Sequence, residues 1–231
     1  MISIIVPTYN ERRNLVELVK RLDTSFKKNN LQYEIILVDD NSPDRTYELA
    51  RELSKKYPLK AIKRVNERGL ASAVVLGFQE SKYGLLAVID ADLQHPPEKM
   101  IELIFALRQE DIDLVIGSRL IKSGKVEEWP FQRRLTSWVA RLLAAPLTKV
   151  KDSQSGFFAL KKEVIENIPF NPLGYKILLE ILVKGKYAGI KEVPYTFMNR
   201  THGTSKLTTK LYIQYLLHLL RLYTYKFKKL L

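Results

Sequence analysis

Short apolar runs alternate with amphipathic stretches through the first half of the chain, and a polar cluster follows most of the runs. Residues 2–6, 35–38, 85–89 and 114–116 are short apolar runs of strand length, the first interrupted by Ser3, and 59–62 is a weaker one. Between them, Leu15, Leu18, Val19 and Leu22 recur at helical spacing. Further helices are predicted over 44–56, capped by Ser42 or Asp44, over 69–78, and over 96–108 with proline in the first turn. Apolar strands separated by helices imply parallel βαβ units with both sheet faces covered. In such sheets ligands bind beyond the carboxyl ends of the strands. Four polar clusters fall there: Thr8-Tyr9-Asn10-Glu11, Asp39-Asp40-Asn41, Asp90-Ala91-Asp92 and Gly117-Ser118-Arg119.

The second half is less regular. The pattern predicts strands over 157–160 and 190–197, a short apolar helix over 176–184, a polar loop over 199–206 and a final helix over 208–231 that carries no acid. Residues 129–151 hold five basic side chains and no acidic one. No internal repeat and no linker interrupts the chain. One compact unit is therefore expected, with a body over 1–207 and an amphipathic basic helix over 208–231.

Composition narrows the function. The chain has 231 residues, 46% hydrophobic and 27% charged, which excludes disorder and low-complexity classes. There is no cysteine, so disulfides, thiolate metal sites and a cysteine nucleophile are out. Three histidines (His95, His202 and His218) do not make a histidine-rich metal cage. The net charge of +13 selects anionic partners: phosphorylated ligands, nucleic acid or an acidic membrane face. The longest apolar segment, 211–220, contains Gln214 and His218 and falls short of the roughly 20 residues that span a bilayer. The N-terminus lacks a basic leader, so a cytoplasmic location is expected.

Asp90-Ala91-Asp92 places two carboxylates on neighbouring turn positions at a strand end, where they can share one hard cation. Gln94 can add a carbonyl oxygen. An isolated Asp-x-Asp more often caps a helix, here the one beginning at Pro96, but the strand before it and the polar rim around it favour the cation. Asp39 and Asp40 can accept from a ribose hydroxyl or a base N–H; the plainer reading is a turn and a helix cap. Gly69 can open a helix N-terminus toward an anion, and that signal is weak by itself.

Taken together, Val6-Pro7-Thr8-Tyr9-Asn10-Glu11, Val38-Asp39-Asp40-Asn41-Ser42-Pro43-Asp44, Arg68-Gly69-Leu70 and Asp90-Ala91-Asp92-Leu93-Gln94-His95-Pro96-Pro97 resemble the family-2 inverting glycosyltransferases. Within them, the last string and Gly117-Ser118-Arg119 are similar to the dolichol- or polyprenyl-phosphate mannosyltransferases. The resemblance implies an α/β GT-A fold, Rossmann-like, with a mostly parallel central sheet flanked by helices. It implies GDP-mannose as donor, Mg²⁺ or Mn²⁺ as cofactor and a dolichyl or polyprenyl phosphate as acceptor. By position, Pro7, Tyr9, Glu11, Val38, Asp40, Asp90, Ala91, Asp92, Arg119, Arg200 and Lys206 would bind the nucleotide sugar. Asp90, Asp92 and Gln94 would surround the metal. Arg119, Arg133, Arg134 and Ser137 would receive the lipid phosphate, and Asp92 and Arg119 would be catalytic. The string Asp152-Ser153-Gln154-Ser155-Gly156-Phe157 departs from the Pro-Met/Thr-Ser-Gly-Phe of many relatives, which leaves the contacts of Ser153 and Gln154 open.

A phosphate monoester is already largely anionic at neutral pH, its second pKa lying near ~6, so such a transfer needs no general base. The final helix, with Lys210, Arg221, Lys226, Lys228 and Lys229 among Leu and Tyr, is suited to lie in an interface with anionic lipid. Trp129, Trp138, Tyr212, Tyr215, Tyr223 and Tyr225 would anchor it there, and a membrane-anchoring segment or subunit can be associated; packing on the sheet is the alternative for this helix. A polyprenyl-phosphate glucosyltransferase using UDP-glucose is the rival on the same chemistry. A nucleic-acid-binding domain is the rival from charge, opposed by the acidic rim and the lack of a recognition motif.

Overall fold

The computed structural model describes residues 1–127, 131–200, 202 and 209–229. Its centre is a seven-stranded sheet in the order β3-β2-β1-β4-β7-β5-β8. The strands are β1 (Ile2–Thr8), β2 (Tyr33–Asp39), β3 (Leu59–Lys63), β4 (Leu85–Val88), β5 (Leu114–Ser118), β7 (Phe158–Lys161) and β8 (Ile190–Pro194). A second, two-stranded sheet joins β6 (Lys125–Val126) to β9 (Thr196–Phe197). The helices are α1 (Arg12–Lys28), α2 (Thr46–Leu53), α3 (Leu70–Gln79), α4 (Met100–Leu107), α5 (Phe131–Ala144), α6 (Ile177–Lys184) and α7 (Thr209–Lys228). The sheet is parallel apart from β7, which runs antiparallel to both β4 and β5.

Period-two alternation assigns the two faces. Ile2, Ile4, Val6, Ile35, Leu37, Ala87 and Val115 join one core cluster with α1 and α4. Ile5, Leu86, Val88, Leu114, Ile116, Phe158 and Leu160 join another with α3 and α6. Strand β1 has β2 and β3 on one side and β4 on the other. The chain thus reverses its direction of travel across the sheet between β1 and β4, and that crevice is where such sheets bind ligands.

The expected elements form, with three adjustments. The helix predicted over 96–108 opens as a 3₁₀ turn, Pro97–Lys99, before α4. The strand predicted over 190–197 breaks at Tyr195, so that β8 pairs with β5 and β9 with β6. Residues 131–144 form a helix where the sequence offered only a basic stretch. Neither candidate cap for α2 is its N-cap residue, which is Arg45 with φ 63°; Asp44, just before it, accepts from the Thr46 backbone N–H through Oδ1 at 3.0 Å. Ser42 instead accepts from the Asn10 N–H at 2.9 Å and donates to Asp39 Oδ2 at 2.5 Å, locking the ends of β1 and β2 together. Helices α5 and α7 pack against each other and α6 around Ala144, Leu147, Leu179, Tyr215, Leu219 and Leu222. No helix among the described residues is long and apolar enough to cross a membrane.

Candidate active site

The carboxyl ends of β1, β2, β4 and β5 open into one cavity of about 480 Å³. Pro7, Tyr9, Glu11, Asp40, Asp90, Ala91, Asp92, Gln94, Arg119, Arg133, Ser137 and Arg200 all line it. The structure therefore gathers most of the sequence-predicted site. Lys206 and Trp129 lie outside the described residues. Two other expected site residues do not line the cavity. Val38 is fully buried and packs its side chain with Ile36 and Ala73 in the core, because it points to the α3 face of β2. Arg134 is exposed on α5 and does not line the cavity, since the residue after Arg133 is turned about 100° around a helix.

Asp90 and Asp92 follow β4 directly. Leu93 between Asp92 and Gln94 has a φ of 60°, a left-handed conformation unusual for leucine. That turn lets Asp92 Oδ1 accept from the Gln94 N–H at 3.2 Å. Arg200 closes the cluster: its Nη2 meets Asp92 Oδ2 at 2.8 Å and its Nε donates to Gln94 Oε1 at 2.9 Å. His95 Nε2 donates to Asp90 Oδ2 at 3.2 Å while its ring packs against Phe157, Tyr195 and Phe197. Burial, then the adjacent Asp90 charge, pushes the Asp92 carboxyl up. Burial acts on Asp90 too, but its hydrogen bond to His95 and the nearby positive charges hold that carboxyl below its usual value.

These residues fit a hard cation. Asp90 Oδ1 is buried without a hydrogen-bond partner among the described residues, and an oxygen left so is costly unless something binds it. Asp90, Asp92 and Gln94 offer oxygen donors only, the set that Mg²⁺ and Mn²⁺ prefer. Among the described residues no cluster of three or more His, Asp or Glu forms. A cation here would thus rely on ligand oxygens and water for its remaining positions.

On the β2 side the two aspartates divide their work. Asp39 is fully buried and accepts from Ser42 and from Thr8 Oγ1, so it ties strand ends together. Asp40 faces the cavity, held by the buried Arg64 guanidinium and by the Gly69 N–H at 2.8 Å. Arg64 carried no signal in the sequence beyond being one basic residue after a strand. The Arg68 guanidinium lies 5.3 Å from the centroid of the Tyr9 ring, framing the same end of the cavity.

Arg119 is held from the far wall. Asp152, with no exposed surface, accepts from Arg119 Nε at 2.8 Å, from Nη2 at 2.7 Å and from its backbone N–H at 2.9 Å. Burial raises the Asp152 carboxyl, but the Arg119 hydrogen bonds and charge more than offset it and leave it below its ordinary value. The guanidinium groups of Arg119 and Arg133 both lie against the Phe197 ring, at 5.1 and 5.9 Å from its centroid. The departing segment after Asp152 is structural as well: Gln154 Nε2 donates to Tyr215 Oη at 2.8 Å, and Tyr215 donates to the Ala140 carbonyl at 2.7 Å. That chain links the cavity wall to α7 and α5. Ser153 is buried.

Two outcomes follow from this geometry. A Cβ added at Gly156 would stand 2.6 Å from Asp90 Oδ2. Gly156→Ala is expected to displace that carboxylate and weaken Mn²⁺ affinity about tenfold or more, measured by titration calorimetry, with the fold retained. Asp152→Asn leaves Arg119 buried without its counter-charge and is expected to cost about 3–5 kcal/mol in urea unfolding at neutral pH. The native pair contributes fully above the ordinary aspartate pKa of about 3.9, and its contribution is lost as pH falls through the lower folded-state value. The stability gap between the two proteins should accordingly close in acid and not in base.

Comparison with known proteins gives the family. The Glycosyl transferase family 2 model matches residues 3–169. A dolichol-phosphate mannosyltransferase of Pyrococcus furiosus is 52% identical over 225 residues, covering 96% of this chain, and the chain spans 63% of that relative's length. A dolichol-phosphate mannosyltransferase of Saccharomyces cerevisiae is 43% identical over 236 residues, covering 97% of this chain and 88% of the relative. Among solved structures, glucosyl-3-phosphoglycerate synthase of Mycobacterium tuberculosis, in complex with Mn²⁺, UDP-glucose and phosphoglyceric acid, superposes with a TM-score of 0.70 at 20% identity. It covers 96% of this chain and 79% of its own. The acidic rim at the end of β4, the sheet that carries it and the sequence similarity across nearly the whole chain place this protein in glycosyl transferase family 2.

Proposed function

We propose that the chain transfers mannose from GDP-mannose to a dolichyl or polyprenyl phosphate at a membrane surface. The reading is carried by one juxtaposition: a cavity with Asp90 and Asp92 on one wall and Arg119 and Arg133 on another, bounded by two helices with exposed apolar faces. A lipid phosphate oxygen attacks the sugar C1 with inversion, the bond from C1 to the diphosphate breaks, and GDP leaves. The acceptor is already an anion, so its attack needs no general base. Tyr9, Glu11 and Asp40 line the nucleoside end. Asp90, Asp92 and Gln94 would hold Mg²⁺ or Mn²⁺, which when bound neutralises charge on the diphosphate. Arg200, which bridges Asp92 and Gln94, would meet the diphosphate. Arg119 and Arg133 face the acceptor, Arg119 pre-aimed by Asp152 so that little ordering is left for the moment of reaction.

The membrane part of the reading rests on α5 and α7. Leu135, Trp138, Val139 and Leu142 recur at i, i+3, i+4, i+7 on α5, and Ile213, Leu216, Leu217 and Leu220 do so on α7; all eight are exposed. Apolar stripes at that spacing normally face a core. Here the core is served by other faces of the same helices, through Ala144, Tyr215, Leu219 and Leu222. Tyr215 is thus an internal residue rather than the interfacial anchor its sequence position suggested, while Trp138 and Tyr212 are exposed as expected. Neither helix carries an acidic residue. Both helices contribute residues to the cavity wall, so a polyprenyl chain can leave the site toward the bilayer while its phosphate stays inside. On this reading the protein works at the cytoplasmic membrane face.

Incubation with labelled GDP-mannose, Mn²⁺ and a short polyprenyl phosphate is expected to move label into the organic phase, and chelator to stop it. Label moving from UDP-glucose and not GDP-mannose would replace the donor assignment. For the membrane surface, vesicles containing anionic lipid should bind the protein, and Leu216→Glu combined with Leu220→Glu should weaken binding about tenfold or more. Equal binding by the variant would remove α7 from the interface.

A further inference from the structure

Lys176 stands at the start of α6 with its side chain on the wall of the main cavity. Several features of its position are unfavourable. A helix N-terminus carries positive partial charge and repels a lysine. The charges of Arg119 and Arg133 reach it as well, offset by those of Asp90 and Asp152. From α7, Tyr212 and Tyr215 line the same space, and that helix carries no carboxylate. Among the described residues the ammonium donates one hydrogen bond, to the Gln154 carbonyl at 3.0 Å, and it lies 4.4 Å from the centroid of the neighbouring Tyr175 ring. A lysine has three donors; these contacts hold the ammonium itself, and the hydrogen bond spends one donor. A cation held in this way, among other cations and with donors unspent, is accounted for by an anion that arrives.

The two walls of the cavity differ in which anion they can take. The donor diphosphate belongs with Asp90, Asp92, Gln94 and Arg200, where a cation and an arginine meet it. Lys176 is anchored on Gln154, on the side of Arg119 and Arg133. We propose that Lys176 is a third cationic ligand of the acceptor phosphate, acting with Arg119 and Arg133. The assignment rests on the lipid-phosphate reading above. Burial first, and the Arg119 charge next, lower the Lys176 pKa to about 7. A bound phosphate would restore the charged form, so acceptor binding above that pH takes up a proton.

The test uses wild type, Lys176→Met and Lys176→Arg, with citronellyl phosphate as the acceptor probe and GDP as the donor probe. Calorimetry reads the binding of each, and transfer from GDP-mannose is assayed in parallel. Lys176→Met is expected to weaken citronellyl phosphate binding about tenfold or more, the worth of one charge-assisted hydrogen bond, while GDP affinity stays within about twofold. That preserved GDP binding also reports a folded variant. In wild type, acceptor affinity should fall as pH rises from about 7 to about 9, because Lys176 loses its proton there. Lys176→Arg should retain acceptor binding and lose this pH dependence, since arginine stays charged throughout. Unchanged acceptor affinity in Lys176→Met, an equal loss of GDP affinity, or no binding of citronellyl phosphate by wild type would each overturn the proposal. Binding that depends on Lys176 in a wild-type protein that transfers no mannose would uphold it and overturn the transferase reading instead.

Discussion

Asp90 and Asp92 end one strand together, and two negative charges set side by side where water is scarce raise the energy of both ionised forms. Most of the surrounding structure answers that cost. His95, enclosed by Phe157, Tyr195 and Phe197, donates to one carboxylate. Arg200 takes the other, together with the Gln94 carbonyl. The backbone accepts a left-handed leucine between them so that Gln94 can turn back. One buried oxygen, Asp90 Oδ1, is still unsatisfied by its neighbours in the described residues. A site that stores this much unfavourable charge suits a cation.

The opposite wall solves the converse problem. Arg119 is buried, and burying a guanidinium is tolerable only with a counter-charge and hydrogen bonds for its donors. Asp152 supplies both, and in doing so fixes the direction of the arginine fork. Asp40 and Arg64 repeat the arrangement at the β2 end of the cavity, with the carboxylate rather than the arginine facing the cavity. Pairs of this kind are poor sources of net stability compared with apolar packing, and their use here is orientation. Electrostatic preorganisation of that sort matters most where charge moves between two phosphates.

The cavity is also joined mechanically to the surface that would meet lipid. Gln154 on the cavity wall bonds Tyr215 of α7, and Tyr215 bonds the backbone of α5. Tyr223 of α7 donates to the Leu143 carbonyl, and Lys226 to the carbonyls of Pro146 and Leu147. The two helices with exposed apolar stripes are thereby held to each other and to the wall carrying Arg119, Gln154 and Lys176. An acceptor whose tail lies in a bilayer and whose phosphate enters the protein would meet both parts of this unit at once.

The strand–helix alternation of the first half, the polar strand ends and the Asp90-x-Asp92 pair were legible in the sequence because each is a local matter. A buried parallel strand must be continuously apolar, and the chain must turn polar where it leaves the sheet. What the sequence left open depends on partners far along the chain. Helix α5 was hidden because its exposed leucines and arginines mask the narrow stripe that packs against α7. Val38 and Asp40 fall on the same side of β2, and only the fold shows that Val38 is sealed under α3 while Asp40, past the strand end, reaches the cavity; only the helix turns Arg134 away from Arg133. Asp152 reads as an ordinary loop residue until the fold brings it against Arg119, thirty-three positions away. Lys176 reads as a helix-leading lysine until α6 sets it among the same charges. Pairing between distant charges is decided by packing, and only the folded chain fixes which side of an element faces the cavity.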